Sequence, residues 1–485
     1  MKTLVQGGTV VAFDGREHSI LEGGVVVFDG SEIVFVGERY DGPVERRIEA
    51  EGKLIIPGLI NTHVHLGLNT GDYLLNDAGR SEYFGANYLS FMAPLKGKMG
   101  ALPPEALRTI REFAFTHLLK NGCTTVIDPG GIPGDWEEYV KVAGHAGLRV
   151  YFSPSFGSAR IFSDREGRFQ FEWDEEGGLR GLEEASGFIE TYAGANNGRL
   201  RGILSPANLE LLSEALIKKT MSAAERLRVP AFLHAGANLI EFQEIMRRRR
   251  KTPIAFLGSV GALTPRTILS HCVFISGHSW SAYPYGDDLK LIADSGAVVS
   301  HSPLKEAKVG VVLESFERYL RAGIPLALGT DTYPHDMIRE MGYASLIARI
   351  AERNFQVGRP KDVFNAATLG GARALGREDL GRIAPGAKAD LVVMDLKKVS
   401  LGLLRDPVKA LCEFGSGADV ETVIVDGHVL IAGGKALNVG EEKLFGEAQR
   451  LASDFWENTQ AWDWASRPVD EITPPAFKPF SPPRR

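Results

Sequence analysis

Six residues that can bind a metal ion or move a proton stand where short apolar runs end. They are His63 and His65 in Ile60-Asn61-Thr62-His63-Val64-His65, His234 after Phe232-Leu233, His271 after Leu269-Ser270, His301 after Val299-Ser300, and Asp331 after Leu328-Gly329-Thr330. On an extended strand side chains i and i+2 share one side, so His63 and His65 face one space. A His-x-His pair alone is common. Its weight comes from the other histidines and the aspartate recurring at the same place in their own segments. Three imidazoles and one carboxylate suit zinc, or iron, manganese or cobalt as divalent ions, with a position left open for water. Such an ion lowers the pKa of water towards neutrality, and Asp331 can both bind the ion and take the proton. The chemistry expected is hydrolysis.

Eight strand-like runs carry these residues: 59–66, 124–128, 148–153, 201–205, 229–234, 267–271, 297–301 and 324–331. Amphipathic helical patterns lie between them, for example over 104–121 and 208–226. Alternating strands and crossover helices predict an α/β fold, a (β/α)8 TIM barrel, whose site lies where strands end and loops begin. Short strand patterns closed by turn residues also occupy both chain ends. The expected organisation is a composite β-sandwich domain over 1–56 and 383–440, a barrel over 57–382, and a helix with a proline-rich tail over 441–485. The tail is expected to be disordered or to form an arm on a neighbouring subunit, since five prolines from Pro474 to Pro483 exclude helix interior and central strand.

A chain of 485 residues with 44% hydrophobic and 24% charged residues is ordinary for a globular enzyme. Its net charge of −6 provides no basic field, which argues against nucleic acid as a partner. The three cysteines, Cys123, Cys272 and Cys412, are too far apart for a thiolate site and read as small buried hydrophobes. No apolar run reaches membrane-spanning length, so the expected setting is the cytoplasm, without membrane contact and with assembly as a homo-oligomer.

The segments PGLINTHVHLG, AFLHAGAN, ILSHCVFIS and LALGTDTYPHDM, with the closing APGAKADLVVMDL and VETVIVDGHVL, resemble the amidohydrolase superfamily, in particular its triazine hydrolases and cytosine and guanine deaminases. The resemblance runs from about residue 2 to 440. It implies His63, His65, His234 and Asp331 as metal ligands, Asp331 also as general base, and His271 as a partner that orients the attacking water. Relatives with two ions bridge them by a carboxylated lysine ending strand four. Here that strand reads Arg201-Gly202-Ile203-Leu204-Ser205-Pro206, so one ion is expected, most simply zinc.

One departure from the deaminase pattern is informative. Those enzymes resemble His-x-x-Glu on strand five, where the glutamate protonates a ring nitrogen. This chain has Ala237 at that place, and Glu241 is expected on the next helix, turned away. The reading is therefore hydrolysis of an amide, carbamate or urea-type C–N bond in a small, aromatic substrate. The alternatives are an aminohydrolase or dehalogenase of a heteroaromatic ring, and a non-catalytic scaffold barrel. His301, Asn238 and Tyr88 are candidate substrate contacts, with capping of the next helix the better role for Asn238. The run Arg247 to Lys251 reads as a solvated helix end.

Overall fold

The computed structural model describes residues 1–67, 69–73, 102–130, 135–163, 169–403, 405–462 and 466–480. Eight parallel strands appear within or beside the expected runs, but the first and last are shorter, ending at Asn61 and Leu328, so His63, His65 and Asp331 stand just beyond their strands. The eight are β1 (Leu59–Asn61), β2 (Cys123–Asp128), β3 (Arg149–Phe152), β4 (Leu200–Gly202), β5 (Ala231–Ala235), β6 (Thr267–His271), β7 (Val298–His301) and β8 (Leu326–Leu328). They form two four-stranded sheets, ordered β4-β3-β2-β1 and β5-β6-β7-β8. Single parallel bridges, Leu204 with Ala231 and Val64 with Asp331, join the sheets at both edges.

Side-chain alternation assigns the two faces of these strands. Ile60, Ile127, Tyr151, Ile203, Phe232, Ile268, Val298 and Ala327, one from each strand or its immediate end, pack into a single buried cluster. Their sequence neighbours Leu59, Val126, Val150, Leu204, Leu233, Leu269, Val299 and Leu328 belong to the cluster formed with the helices. Two residues beyond the inner apolar layer come Thr62, His234, Ser270 and Ser300, which set a polar layer on the same side. Thr62 Oγ1 and Ser300 Oγ lie 2.6 Å apart within it.

The crossover helices follow local signals. Pro104–Lys120 opens with proline at its first position, and Trp136–Ala146 is capped by Asp135 and closed by left-handed Gly147. The helix expected over 208–226 begins instead at Glu214. Ser213 caps it, accepting from Leu216 N, and residues 209–211 form a separate short turn.

Both chain ends meet in one nine-stranded sheet. Its strand Leu54–Pro57 runs parallel to Lys2–Phe13 and antiparallel to Leu391–Met394, then leads directly into β1. Buried Arg149 of β3 points at this sheet, with its guanidinium 3.2 Å from Asp426 and 3.4 Å from Asp390. The tail continues past the helix Glu441–Glu457 into a short turn, Val469–Ile472, whose Ile472 is fully buried against the rest of the chain. Among the described residues no helix is long and apolar enough to cross a membrane.

Candidate active site

Five of the six strand-end residues converge. His63 Nε2 lies 3.1 Å from His65 Nε2 and 3.2 Å from His234 Nε2. Asp331 Oδ1 is 3.5 Å from the Nε2 atoms of both His63 and His65, and Oδ2 is 3.7 Å from His271 Nε2. The ligand atoms of His63, His65 and His234, and those of His63, His271 and Asp331, each fall within 4.8 Å of one another.

The backbone ties the two segments that arrive from opposite ends of the strand order. His63 O accepts from Thr330 N at 3.0 Å and Asp331 N at 2.8 Å, and His65 N donates to Asp331 O at 3.3 Å. Asn61 spans the same gap: its Oδ1 accepts from His63 N and Thr330 N, and its Nδ2 donates to Thr330 Oγ1. Gly329 is required by this approach, since a Cβ there would sit 2.6 Å from His63 Cβ.

Three imidazole nitrogens this close cannot all be satisfied by one another. His65 Nδ1 lies 3.1 Å from Gly130 O, an acceptor only, so Nδ1 carries the proton and Nε2 presents a bare lone pair. His63 Nδ1 is 2.8 Å from Ser270 Oγ, which leaves its Nε2 to face the other two rings. Burial first, and then neighbouring cationic groups including Lys305, hold His63, His234 and His271 well below the ordinary imidazole range. Neutral imidazole is the form that binds metal. Converging neutral rings beside a carboxylate therefore fit one divalent cation.

Residues that the strand-end pattern did not mark complete the site. Lys305 and Glu306, on the short helix Pro303–Lys308 directly after β7, are both buried. Lys305 Nζ is 3.5 Å from Asp331 Oδ2. Glu306 Oε1 accepts from His271 Nδ1 at 3.3 Å, and its Oε2 is 3.2 Å from His301 Nδ1. His301 thus stands beside the carboxylate that holds His271, close to it but without a hydrogen bond. Asn238 is fully buried and caps the helix Leu239–Arg249, its Oδ1 accepting from Glu241 N at 2.9 Å. Tyr88 lies outside the described residues.

Glu241 corrects the expectation that it turns away. It does sit on the next helix, but its carboxylate folds back to accept from Gly236 N at 2.7 Å and Ala237 N at 2.8 Å. The Asn238-x-x-Glu241 spacing explains this, because a third-position glutamate reaches back over a helix N-terminus to otherwise unpaired amides. Burial, and then Glu210, push its pKa well above the ordinary carboxyl range. The basic run closes the helix with Arg247, Arg250 and Lys251 exposed, as expected, while the Arg248 guanidinium stacks over Phe171 and Trp173.

The profile of the Amidohydrolase family matches residues 54–430. A 5'-deoxyadenosine deaminase of Methanothermobacter thermautotrophicus is 30% identical over 438 residues, covering 89% of this chain and 94% of that protein. A 5-methylthioadenosine/S-adenosylhomocysteine deaminase of Pyrococcus furiosus is 28% identical, covering 91% and 98%. Among solved structures, atrazine chlorohydrolase TrzN of Arthrobacter aurescens, complexed with zinc, superposes with a TM-score of 0.78 at 25% identity over 93% of this chain and 100% of that one. A zinc-bound adenosine deaminase of Xanthomonas campestris has a TM-score of 0.78 at 20% identity, covering 93% and 98%.

Proposed function

This chain belongs to the amidohydrolase family and is an enzyme acting on carbon–nitrogen bonds other than peptide bonds, and from that premise we propose that it cleaves an amide, carbamate or urea-type C–N bond of a small substrate. In this reading the eight parallel strands close as one (β/α)8 barrel over 57–382, with the composite β domain over 1–56 and 383–440 and a tail over 441–485. The protein works as a homo-oligomer. His63, His65, His234 and Asp331 would hold one divalent ion, most simply zinc, which when bound would supply the Lewis acidity that activates water near neutral pH and polarises a carbonyl.

The rest falls to side chains. Asp331 takes the proton of the attacking water and returns it to the departing amine. His271, held by Glu306, keeps Asp331 Oδ2 oriented. His301 and Asn238 border the substrate.

The observation that carries the choice of bond is the occupancy around Ala237. Protonation of a ring nitrogen needs an acid within hydrogen-bond reach, and three positions after His234, where the deaminase pattern puts a glutamate, the chain offers a methyl group. The nearest carboxyl in sequence, Glu241, is already engaged by the Gly236 and Ala237 amides. An amide or urea requires no ring protonation, because Asp331 alone can carry its proton. The second reading, release of ammonia from a heteroaromatic ring, is supported by the deaminase names of the relatives. A panel of metal-loaded turnover assays separates the two. Aryl amides and ureas should be hydrolysed at least as fast as 5'-deoxyadenosine and aminotriazines. Faster turnover of the ring amines by orders of magnitude would replace the first reading with the second.

A further inference from the structure

Asp331 stands beyond the end of β8 in a left-handed backbone conformation, with φ of 58°, which a residue other than glycine keeps only where its surroundings hold it. On one side the hold is Asp331 N itself, which donates to His63 O at 2.8 Å. Two residues further on, the chain is gripped at Tyr333. Its N–H donates to Asp72 Oδ2 at 2.7 Å, and its carbonyl accepts from Lys308 Nζ. Asp72 ends the one-turn helix Asn69–Asp72 in the loop after β1, and Lys308 ends the helix Pro303–Lys308 after β7. These are the loops of the two strands that border β8, so Tyr333 is held from both flanks.

Both grips are firmly mounted. Trp456 Nε1, on the helix Glu441–Glu457, donates to Thr70 O at 2.7 Å, and its ring meets Tyr73 edge-on at 5.6 Å, which fixes the turn that carries Asp72. Leu304 N donates to Glu340 Oε2 at 3.1 Å, which pins the start of the helix that carries Lys308. Between them the Tyr333 ring packs against Tyr73 and His117, with centroids 5.2 and 4.8 Å apart. Asp72 is only 3% exposed, and burying a carboxyl is a costly way to tie down an ordinary loop. It suits a loop whose placement is felt in the reaction, since a shift of about 1 Å in a reacting group can cost about 100-fold in rate.

We propose that Asp72 and Lys308 are positioning residues for the reaction: by gripping Tyr333 from the loops that flank β8, they hold Asp331 in the orientation in which it takes the proton of the attacking water. This rests on the hydrolase reading above only in taking Asp331 as the group that moves the proton, and it holds whichever C–N bond is cleaved. Neither Asp72 nor Lys308 exchanges a proton with substrate.

The test measures kcat, KM and metal content for metal-loaded Asp72→Leu, Asp72→Asn, Lys308→Met and the double variant Asp72→Leu with Lys308→Met, on the amide, urea or ring-amine substrate that wild type turns over fastest. In Asp72→Leu and in Lys308→Met kcat should fall by about 10- to 100-fold, the range for removing a partner that orients a site group, while KM and metal content stay near those of wild type. Asp72→Asn keeps an acceptor oxygen in place and should recover most of the lost kcat. Because both groups act through Tyr333, the double variant should lose less than the product of the two single losses. The proposal is overturned if kcat is unchanged in the single variants, if KM or metal content carries the loss, or if the two losses multiply. Asp331→Asn separates this outcome from that of the reading it rests on. A wild-type kcat in Asp331→Asn would sink both, whereas a collapse of kcat there with no loss in the Asp72 and Lys308 variants would sink the grip alone. Should Asp72→Leu fail to fold, or no substrate turn over, hydrogen exchange over 331–335 in Lys308→Met decides: faster exchange confined to that stretch supports the grip, and unchanged or uniformly faster exchange refutes it.

Discussion

Glu306→Gln isolates what one buried carboxylate does for the ring it holds. The glutamate accepts from His271 Nδ1 at 3.3 Å, so that ring keeps its proton on Nδ1 and turns Nε2 towards Asp331, while its other oxygen lies 3.2 Å from His301 Nδ1 without hydrogen-bond geometry. Glutamine is nearly isosteric but has one oxygen and one NH2. A ring that meets the NH2 must become the acceptor there, moving its proton to Nε2 and pointing a donor at the site. Removing an orienting partner of a single ligand ring typically costs about 10- to 100-fold in activity or metal affinity. If the ring affected is His271, whose Nε2 is 3.7 Å from Asp331 Oδ2, kcat/KM should fall by about 100-fold, or about 2.7 kcal/mol. The loss should appear mainly in kcat, because the carboxylate that moves the proton is the group left misaligned. Steady-state kinetics and metal analysis on folded protein decide the matter. A kcat/KM within about threefold of wild type would show that Glu306 does not govern His271, since even the low end of the expected range is about 10-fold.

Three further outcomes follow from the geometry. His234→Asn removes an imidazole whose Nε2 lies 3.2 Å from that of His63, and metal content measured after dialysis should drop from one ion per chain to background; full retention would take His234 out of the ligand set. Arg149→Met leaves buried Asp390 without its cation, while Asp426 keeps Lys388 and Arg199 at 3.7 and 3.9 Å, and should destabilise the fold by about 3 kcal/mol, read from denaturant unfolding; a loss under about 1 kcal/mol would contradict it. Burial, and then Arg382, push His18 from 6.5 down to about 4. The unfolded chain therefore binds a proton that the folded chain refuses between these values, and stability present above pH 6.5 is lost as pH falls towards 4, by about 3 kcal/mol. His18→Phe keeps the ring contacts with Phe13 and Phe364 and should flatten that slope in urea titrations run at several pH values; an unchanged slope excludes His18 as the source.

Much of the site was legible because strand ends have a signature. An apolar run of period two that stops at a histidine or aspartate states both the element and the end of it that faces the loops, and five of six such residues meet. What escaped was every residue whose role depends on a neighbour far away in sequence. Lys305 and Glu306 follow β7 in a helix that reads as ordinary charged surface, and only the arrival of Asp331 and His271 makes them part of the centre. Ser270 is within reach of the alternation, two residues past inward-facing Ile268. Asn61 is not, since it immediately follows inward-facing Ile60 and its role comes from the arrival of Thr330. Glu241 is legible as the fourth residue of a capping pattern.

The backbone shows why these particular ends can hold the centre. His271 and Asp331 adopt left-handed conformations, with φ of 71° and 58°, and Cys272 follows with 49°. Side chains other than glycine rarely take up this region, and each such residue costs on the order of 1–3 kcal/mol. A strand that simply continued would carry alternate side chains away from the site, whereas a left-handed residue at its end turns the chain sharply enough to present His271 and Asp331 to rings arriving from β1 and β5. The surroundings hold them there. Cys272 N donates to Ala235 O at 2.9 Å, Tyr319 Oη donates to Cys272 O at 2.6 Å, and Asp331 N is fixed to His63 O at 2.8 Å. At the site the strain falls on His271 and Asp331, which orient or move a proton in the proposed reaction, and on Cys272 beside His271, while His63 and His234, which serve only as ligands there, are absent from the left-handed set. That division of labour follows from geometry, since a ligand needs only to face inward, but a base must also be turned towards the proton it takes.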